Sequence, residues 1–141
     1  MQTNGNTLKG KRILVAEDVA VNQFFLRRIL EVEGATVTVV SDGSEAVSQV
    51  RADNYDLLLM DIQMPEMDGV TATGIIRSME DATKAGIPII ALTANALKGD
   101  NQRYLDAGMD NYISKPYSPD KLYAVIGGLL PTQEKERITG G

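Results

Sequence analysis

The chain alternates short apolar runs with longer segments in which apolar side chains recur at helical spacing. Short runs of this kind are typical of parallel strands that are covered on both faces of a sheet. They predict strands near residues 12–16, 36–40, 56–60, 87–92 and 111–114. Strands that alternate with helices indicate repeated βα units, so we expect an α/β fold built around a parallel sheet.

The longer segments predict five helices, at residues 22–33, 43–52, 69–79, 100–107 and 119–130. Local signals mark several of their ends. Asp42, with Glu45 three residues later, has the spacing of a capping box. Gly34 stands where a helix C-terminus favours glycine. Ser118 followed by Pro119 has the pattern of an N-cap and a first helical residue.

The length of the chain, 141 residues, is that of one domain. A domain of about 150 residues buries roughly 68–70% of the surface that its unfolded chain exposes, which suffices for a stable core. We expect the domain to span residues 11–130. Residues 1–10 and 131–141 are polar, contain glycine and lack periodicity, so we expect flexible tails there and no output domain after residue 130.

Composition excludes several classes of site. The chain has no cysteine and no histidine, which excludes disulfides, thiolate nucleophiles and imidazole metal ligands. Its net charge of −5 disfavours binding to nucleic acid. The longest apolar runs are far shorter than the roughly 20 residues of a membrane helix, and residues 1–7 do not resemble a signal peptide. We therefore expect a cytoplasmic protein that contacts neither nucleic acid nor a membrane.

Five polar residues stand at the downstream ends of four of the apolar runs. They are Glu17, Asp18, Asp61, Thr93 and Lys115. The carboxyl ends of parallel strands line one edge of an open α/β sheet, where such folds bind their ligands. We therefore expect these side chains to converge in one pocket.

The residue types in this set suit a divalent cation and a phosphoryl group. Carboxylates packed closely raise one another's pKa unless a cation neutralises them, and Glu17, Asp18 and Asp61 are oxygen ligands of the kind that Mg²⁺ prefers. Asp61 ends a nearly wholly apolar run, and a carboxylate there can act as a nucleophile that forms an aspartyl phosphate. Lys115 can pair with Asp61 and then with phosphoryl oxygens, and Thr93 can contribute a hydroxyl.

Each residue also has a simpler interpretation. Glu17 and Asp18 could be acids at a helix N-terminus, where the helix dipole stabilises negative charge. Thr93 could simply end a strand, and Lys115 could be a solvated loop residue. Their joint occurrence at four strand ends favours a functional site.

At these residues the chain resembles a known family. The segments KRILVAEDVAVNQ, DLLLMDIQMPEMDG, PIIALTANA and NYISKP resemble the receiver domain of two-component response regulators, and most closely the receivers of hybrid sensor histidine kinases. The resemblance spans about residues 11–130. It implies a doubly wound, flavodoxin-like sheet of five parallel strands in the order 2-1-3-4-5, with five helices.

The resemblance implies a role for each acid of the pocket. Asp61 matches the aspartate that accepts the phosphoryl group. Asp18 matches a direct Mg²⁺ ligand, and Glu17 matches its acidic neighbour, which often binds the metal through water. The backbone carbonyl of Gln63 is expected to bind Mg²⁺ as well. Many members have Asp where this chain has Glu17, which leaves the metal geometry open.

Further residues match the phosphoryl-binding and switching positions of the family. Thr93 matches the switch hydroxyl, Ala94 the residue whose backbone amide binds the phosphoryl group, and Lys115 the family's lysine. Pro116 is expected to follow a cis peptide bond, and Tyr112 matches the aromatic residue that rotates on activation.

The implied function is phosphorelay signalling. A histidine kinase or a histidine phosphotransfer domain would donate a phosphoryl group to Asp61 in a reaction that needs Mg²⁺ and that the domain itself catalyses, as it does the later loss of the group. Since the chain has no histidine, the donor must be another domain or protein. The surface of the fourth predicted helix and the fourth and fifth strands would then change shape. The motifs favour a domain from a hybrid sensor histidine kinase over one that acts alone.

Three alternatives remain open. A phosphohydrolase resembling the haloacid dehalogenases would need a second Asp at the position of Gln63. A flavin carrier would need a phosphate loop rich in Ser, Thr and Gly where this chain has Glu17 and Asp18. A degenerate receiver that serves only for docking would usually lack one of the acid, hydroxyl or lysine positions.

Three residues near these motifs receive less definite expectations. Asn95, like Gln63, flanks the expected pocket and could tune the attack of water on the phosphoaspartate. Tyr104 and Tyr117 are expected to be exposed and receive no role.

Overall fold

The fold is a parallel sheet in the predicted strand order. The computed structural model describes residues 7–94 and 100–130, except the side chains of residues 100 and 101. The strands are β1 (Arg12–Ala16), β2 (Thr36–Val40), β3 (Leu57–Asp61), β4 (Ile89–Thr93) and β5 (Asn111–Ser114). All of the pairings are parallel, and the order is β2-β1-β3-β4-β5. The predicted doubly wound α/β architecture is confirmed.

The described part of the chain contains six helices, of which five lie between successive strands and the last follows β5. They are α1 (Ala20–Val32), α2 (Gly43–Ala52), α3 (Gly69–Arg77), α4 (Ala82–Ala85), α5 (Asp100–Asp106) and α6 (Pro119–Leu129). The sequence predicted five, because α4 has four residues and is too short for a periodic pattern. The Asp81 carboxylate caps it by accepting hydrogen bonds from the N–H groups of Thr83 and Lys84. Across the described ranges, every helix is too short or too polar to traverse a lipid bilayer.

The predicted helix ends are supported by specific hydrogen bonds. The Asp42 carboxylate accepts the Glu45 N–H at 2.8 Å, and the Glu45 carboxylate accepts the Ser41 N–H at 2.7 Å, one residue before the position that a capping box predicts. Ser118 Oγ accepts the Lys121 N–H at the start of α6. Gly34, directly after the C-cap of α1, has φ +98°, a conformation that glycine adopts without a steric penalty.

β3 and β4 are buried along their whole length, and the sheet divides the core into two layers. Alternate residues of a strand face opposite sides. One side of the sheet packs against α1 and α6 through residues that include Leu59, Leu30 and Ile126. The other packs against α2 and α3 and includes Met60 and Ile76. Each fully buried large apolar side chain stabilises the fold by about 1.5–3 kcal/mol. The core therefore stabilises the sheet whose carboxyl edge carries the polar residues.

The strands that lead to the pocket are displaced from their predicted bounds. β3 begins one residue later than predicted and β4 two residues later, partly because Pro88 has no N–H to donate to the ladder. Both strands end one residue later than predicted. As a result, Asp61 and Thr93 are the last residues of their strands, in register with Leu92 and Ser114 respectively. Their backbones are therefore fixed by the sheet.

Part of the expected N-terminal tail packs onto the domain. Leu8 is buried, its N–H donates to the Glu33 carbonyl oxygen at 2.8 Å, and its carbonyl oxygen accepts the Lys11 N–H. One apolar side chain in a polar stretch carries no periodicity, so the sequence did not indicate this contact. Residues 1–6 and 131–141, and Asn95, lie outside the described residues.

Gly69 allows α3 to begin directly beside the end of β3. A Cβ atom at this position would overlap the Asp61 carbonyl oxygen and press on the Met60 side chain. The Gly69 N–H donates to the Ile62 carbonyl oxygen at 3.1 Å, and Asp68 caps the helix by accepting the Thr71 N–H. The loop after Asp61 is thereby held against the strand.

We expect Gly69→Ala to destabilise the domain by about 1–3 kcal/mol, because the added methyl group forces backbone apart at a packed position. Gly74→Ala is the matched control on the same helix. Among the described residues, no atom outside the backbone of the same helix lies within 4 Å of a Cβ at Gly74, so alanine should stabilise the helix by about 0.5–1 kcal/mol. Urea unfolding of both variants measures the effects, and equal effects of the two substitutions would contradict this account.

Candidate functional site

The structure brings the predicted polar residues together at the carboxyl edge of the sheet. Asp61 and Thr93 end β3 and β4, Lys115 follows β5, and Glu17 and Asp18 follow β1. One carboxylate oxygen from each of Glu17, Asp18 and Asp61 lies within 4.8 Å of the other two. Glu17 and Asp61 are buried and Asp18 is exposed, so the acidic cluster opens to solvent at Asp18.

Lys115 joins two of the three acids. Its Nζ lies 3.1 Å from Asp61 Oδ2 and 3.6 Å from Glu17 Oε1. The lysine side chain is only partly buried, whereas the two carboxylates have almost no contact with water. The ammonium group therefore supplies positive charge where solvent cannot.

The Lys115 ammonium does not fully compensate the negative charge around Asp61. Burial raises the pKa of Asp61 to about 6, and the nearby Glu17 carboxylate contributes to the rise. The Gln63 N–H, which donates to Asp61 Oδ1 at 3.0 Å, and the Lys115 ammonium both act to lower this pKa, but they do not cancel the rise. The site thus favours the arrival of further positive charge.

Glu17 is fully buried and its carboxylate is held at both oxygens. Oε2 accepts the Val19 N–H at 3.1 Å, and Oε1 accepts the Tyr117 hydroxyl at 3.1 Å. Burial, with the adjacent Glu17 carboxylate as the next cause, raises the pKa of Tyr117 well above its ordinary value. The phenol is therefore protonated and acts as the donor in this contact.

Two tyrosines that the sequence analysis placed on the surface are buried against the site. Tyr104 and Tyr117 are 4% and 7% exposed, so the expectation that they are exposed was wrong. The Tyr104 hydroxyl lies 3.1 Å from Thr93 Oγ1, and the Tyr117 hydroxyl binds Glu17. These partners are 11 and 100 residues apart in the chain, a separation at which local pattern gives no information. For Tyr104, the scarcity of apolar residues on its helix was the available clue to its burial.

The pocket beside Asp61 has a volume of about 180 Å³. Its lining includes Gln63, Thr93, Ala94 and Lys115, all of which the sequence analysis selected. It also includes Arg103, an exposed basic residue of α5 that the sequence analysis did not select.

The other two residues taken from the family resemblance also have definite places. The peptide bond between Lys115 and Pro116 is cis, as expected. Tyr112 is half-buried and packs against the core layer on the side of α2 and α3.

The donor set fits a hard divalent cation. Three carboxylates lie together at an opening to solvent, where Mg²⁺ could keep several of its waters. Asp61 could act as a nucleophile toward phosphorus, with Lys115 beside it to neutralise charge. The position that would need an acid in a dehalogenase-like hydrolase carries the Gln63 amide, and the acids at the end of β1 would repel a flavin phosphate.

Comparison with known proteins gives a consistent result. Residues 13–127 match the response regulator receiver domain family. The chain is 40% identical over 131 residues to hybrid signal transduction histidine kinase I of Dictyostelium discoideum, and 44% identical over 126 residues to transcription factor SKN7 of Saccharomyces cerevisiae. Each alignment covers 89% of this chain, but only 8% of the kinase and 20% of the transcription factor. The chain therefore spans a small part of the length of these relatives.

A solved structure has the same fold over most of the chain. It is the receiver domain of a sensor histidine kinase from Pseudomonas aeruginosa PAO1, which is 42% identical and superposes with a TM-score of 0.78. The match covers 85% of this chain and 97% of that domain. In that structure a magnesium ion is coordinated in the active site cleft.

The raised pKa of Asp61 predicts a pH-dependent cost to the metal-free protein. Between the ordinary value of 3.8 and about 6, the folded state holds a proton that the unfolded chain has lost, so the free energy of unfolding falls as pH rises through this interval. Asp61→Asn removes the titrating group. In the presence of a chelator, we expect this variant to gain stability relative to wild type above about pH 6, and to gain much less near pH 4.

Urea unfolding across this pH range measures the difference. An equal gain in the free energy of unfolding at both ends of the range would show that the pKa of Asp61 is not raised in the folded protein.

Proposed function

The chain belongs to the response regulator receiver domain family, and on that premise we propose that Asp61 accepts a phosphoryl group from a phosphohistidine. The observation that carries this proposal is the setting of Asp61, a buried carboxylate with a raised pKa that is 3.1 Å from the Lys115 ammonium and beside two further acids. This setting combines a nucleophile with groups that neutralise phosphoryl charge.

The proposed reaction exchanges one bond to phosphorus for another. A bond forms between an Asp61 carboxylate oxygen and phosphorus, while the bond from phosphorus to the donor imidazole nitrogen breaks and that nitrogen keeps the electron pair. Asp18, Glu17, Asp61 and the backbone carbonyl of Gln63 would hold Mg²⁺. When bound, the ion neutralises the carboxylates and the phosphoryl oxygens.

The residues around Asp61 are proposed to change partners after transfer. Lys115 would leave the carboxylate and bind a phosphoryl oxygen. The Thr93 hydroxyl, which now contacts Tyr104, would donate to a second phosphoryl oxygen. The Ala94 backbone amide would also donate to the phosphoryl group. A phosphoryl group offers about −1.5 to −2 charge and three acceptor oxygens, which is enough to draw these donors inward.

The resulting surface change is the proposed output of the domain. Movement of Thr93 would make room for Tyr112, now half-buried at the edge of the sheet, to turn inward. The surface formed by α5, β4 and β5 would change with it. The phosphoryl group thereby biases two surface arrangements that exist beforehand.

The proposed donor is a histidine kinase or a histidine phosphotransfer domain, and the proposed setting is a hybrid sensor histidine kinase. Similarity to a hybrid kinase and to the receiver of a sensor kinase supports that setting, while the similarity to a transcription factor shows that related domains occur in other proteins. We propose that the reaction takes place in the cytoplasm.

An apolar surface beside the acids supports the docking of a protein donor. Val19, Val21, Phe24 and Phe25 are exposed at the start of α1, immediately after Asp18. Val21 and Phe24 are 69% and 67% exposed, a large exposure for side chains of this type. We propose that the donor domain packs on this surface, so that its phosphohistidine reaches Asp61.

The central proposal predicts a single, metal-dependent modification. The protein mixed with Mg²⁺ and acetyl phosphate should gain the mass of one phosphoryl group, because Asp61 attacks the small donor directly. Intact-mass analysis measures the gain. Both a chelator and Asp61→Asn should abolish it, and undiminished labelling of Asp61→Asn would place the acceptor elsewhere.

The docking surface predicts a defect that depends on the donor. Phe24→Ala should slow phosphoryl transfer from a phosphorylated histidine phosphotransfer protein by about tenfold, since truncating a well-packed aromatic residue at an interface commonly costs more than 1 kcal/mol. Transfer from acetyl phosphate should be unchanged because the small donor needs no docking surface. Rapid-quench measurement of the phosphoprotein compares the two donors.

Val32→Ala is the matched control for this experiment. Val32 is also exposed on α1, but it lies eight residues further along, about 12 Å from Phe24 along the helix. Its substitution should leave both reactions unchanged. Equal slowing by the two variants, or slowing with acetyl phosphate, would contradict a docking role for Phe24.

A further inference from the structure

The contact between Tyr117 and Glu17 joins the residue after Pro116 to the first acid of the pocket. The hydroxyl of Tyr117 donates to Glu17 Oε1 at 3.1 Å, and both side chains are buried. The ring belongs to the core layer that includes residues of α1 and α6. The hydroxyl is therefore presented to Glu17 by a side chain that is itself fixed by packing.

Glu17 needs more restraint than an aspartate would. Its side chain has one more rotatable bond, so a glutamate must lose more rotamer freedom before its carboxylate stays in one place. In this structure the Val19 N–H holds one oxygen, and Tyr117 holds the other. The Tyr117 hydroxyl thus supplies part of the restraint that the longer side chain of Glu17 requires.

Lys115 is a weaker restraint on the same oxygen. Its Nζ lies 3.6 Å from Glu17 Oε1 but 3.1 Å from Asp61 Oδ2, so it is placed chiefly for Asp61. Under the proposed function, Lys115 also moves to a phosphoryl oxygen during the reaction. The hydroxyl of Tyr117, on a packed ring, can remain on Glu17 throughout.

We propose that Tyr117 is a positioning residue, whose hydroxyl orients the Glu17 carboxylate toward the place where Mg²⁺ binds. This inference rests on the proposed function, because it assumes that Glu17 serves the metal. Groups that orient metal-binding carboxylates commonly contribute 10- to 100-fold to metal affinity. Tyr117 would therefore act on the metal through Glu17, without touching the phosphoryl group.

The test is the affinity of the unphosphorylated protein for Mg²⁺. Tyr117→Phe keeps the ring and removes the hydroxyl, and we expect the dissociation constant of Mg²⁺ to rise about tenfold. Tyr123→Phe is the matched control, because Tyr123 lies on α6 and its hydroxyl donates to the Ile29 carbonyl oxygen at 3.0 Å, outside the acidic pocket. Its Mg²⁺ dissociation constant should stay within about twofold of wild type. Titration followed by amide chemical shifts measures all three proteins.

A second measurement separates positioning from a general loss of structure. The shorter side chain of a Glu17→Asp protein should not reach the Tyr117 hydroxyl, so Tyr117→Phe should change the Mg²⁺ affinity of that protein by less than about twofold. A general loss of structure would instead weaken Mg²⁺ binding equally in both backgrounds.

The outcomes distinguish the inference from the proposed function. A folded Tyr117→Phe protein that binds Mg²⁺ as tightly as wild type would overturn the role of Tyr117, while leaving the proposed function intact. Equal penalties from Tyr117→Phe in the wild-type and Glu17→Asp backgrounds would also overturn it. A wild-type protein that fails to bind Mg²⁺ at millimolar concentration would overturn the proposed function itself.

Discussion

The burial of carboxylates at one edge of the sheet is the constraint on which the rest of the structure depends. Glu17 and Asp61 are almost inaccessible to water, and burial raises the pKa of Asp61 to about 6. Lys115 contacts both but does not restore the pKa of Asp61 to its ordinary value. A domain that keeps this arrangement gives up stability in the metal-free state at neutral pH. Such a cost is expected where a site is arranged for a ligand rather than for the fold.

Burial of the large apolar side chains inside the sheet offsets this cost. β3 and β4 are buried at every residue, and the register fixes Asp61 beside Leu92 and Thr93 beside Ser114. Gly69 lets α3 approach the Asp61 backbone more closely than any other residue would allow. The strands and the turns that follow them therefore place the backbones of the acids, the hydroxyl and the lysine.

How much of this could be read from sequence depends on whether a residue's place follows from local pattern. Asp61 and Thr93 could be assigned to the pocket because apolar strands lead directly to them, and parallel strands must end at a common edge. The caps of α2 and α6 follow from short-range spacing. The burial of Tyr104, Tyr117 and Leu8 depends on tertiary packing, which leaves no local pattern in the sequence. α4 has only four residues, too few for a periodic pattern.

The hydrogen bonds of the site divide into two groups with different consequences for signalling. Bonds to the backbone, such as Gln63 N–H to Asp61 and Val19 N–H to Glu17, involve atoms that the sheet and its loops hold in place. The bonds of Lys115 to Asp61 and of Thr93 to Tyr104 join side chains that can rotate to new acceptors. A phosphoryl group on Asp61 would compete for the second group only. Under the proposed function, the existing partners of Lys115 and Thr93 would help to set the free energy that phosphorylation must supply, and Tyr104 would help to determine how readily the domain switches.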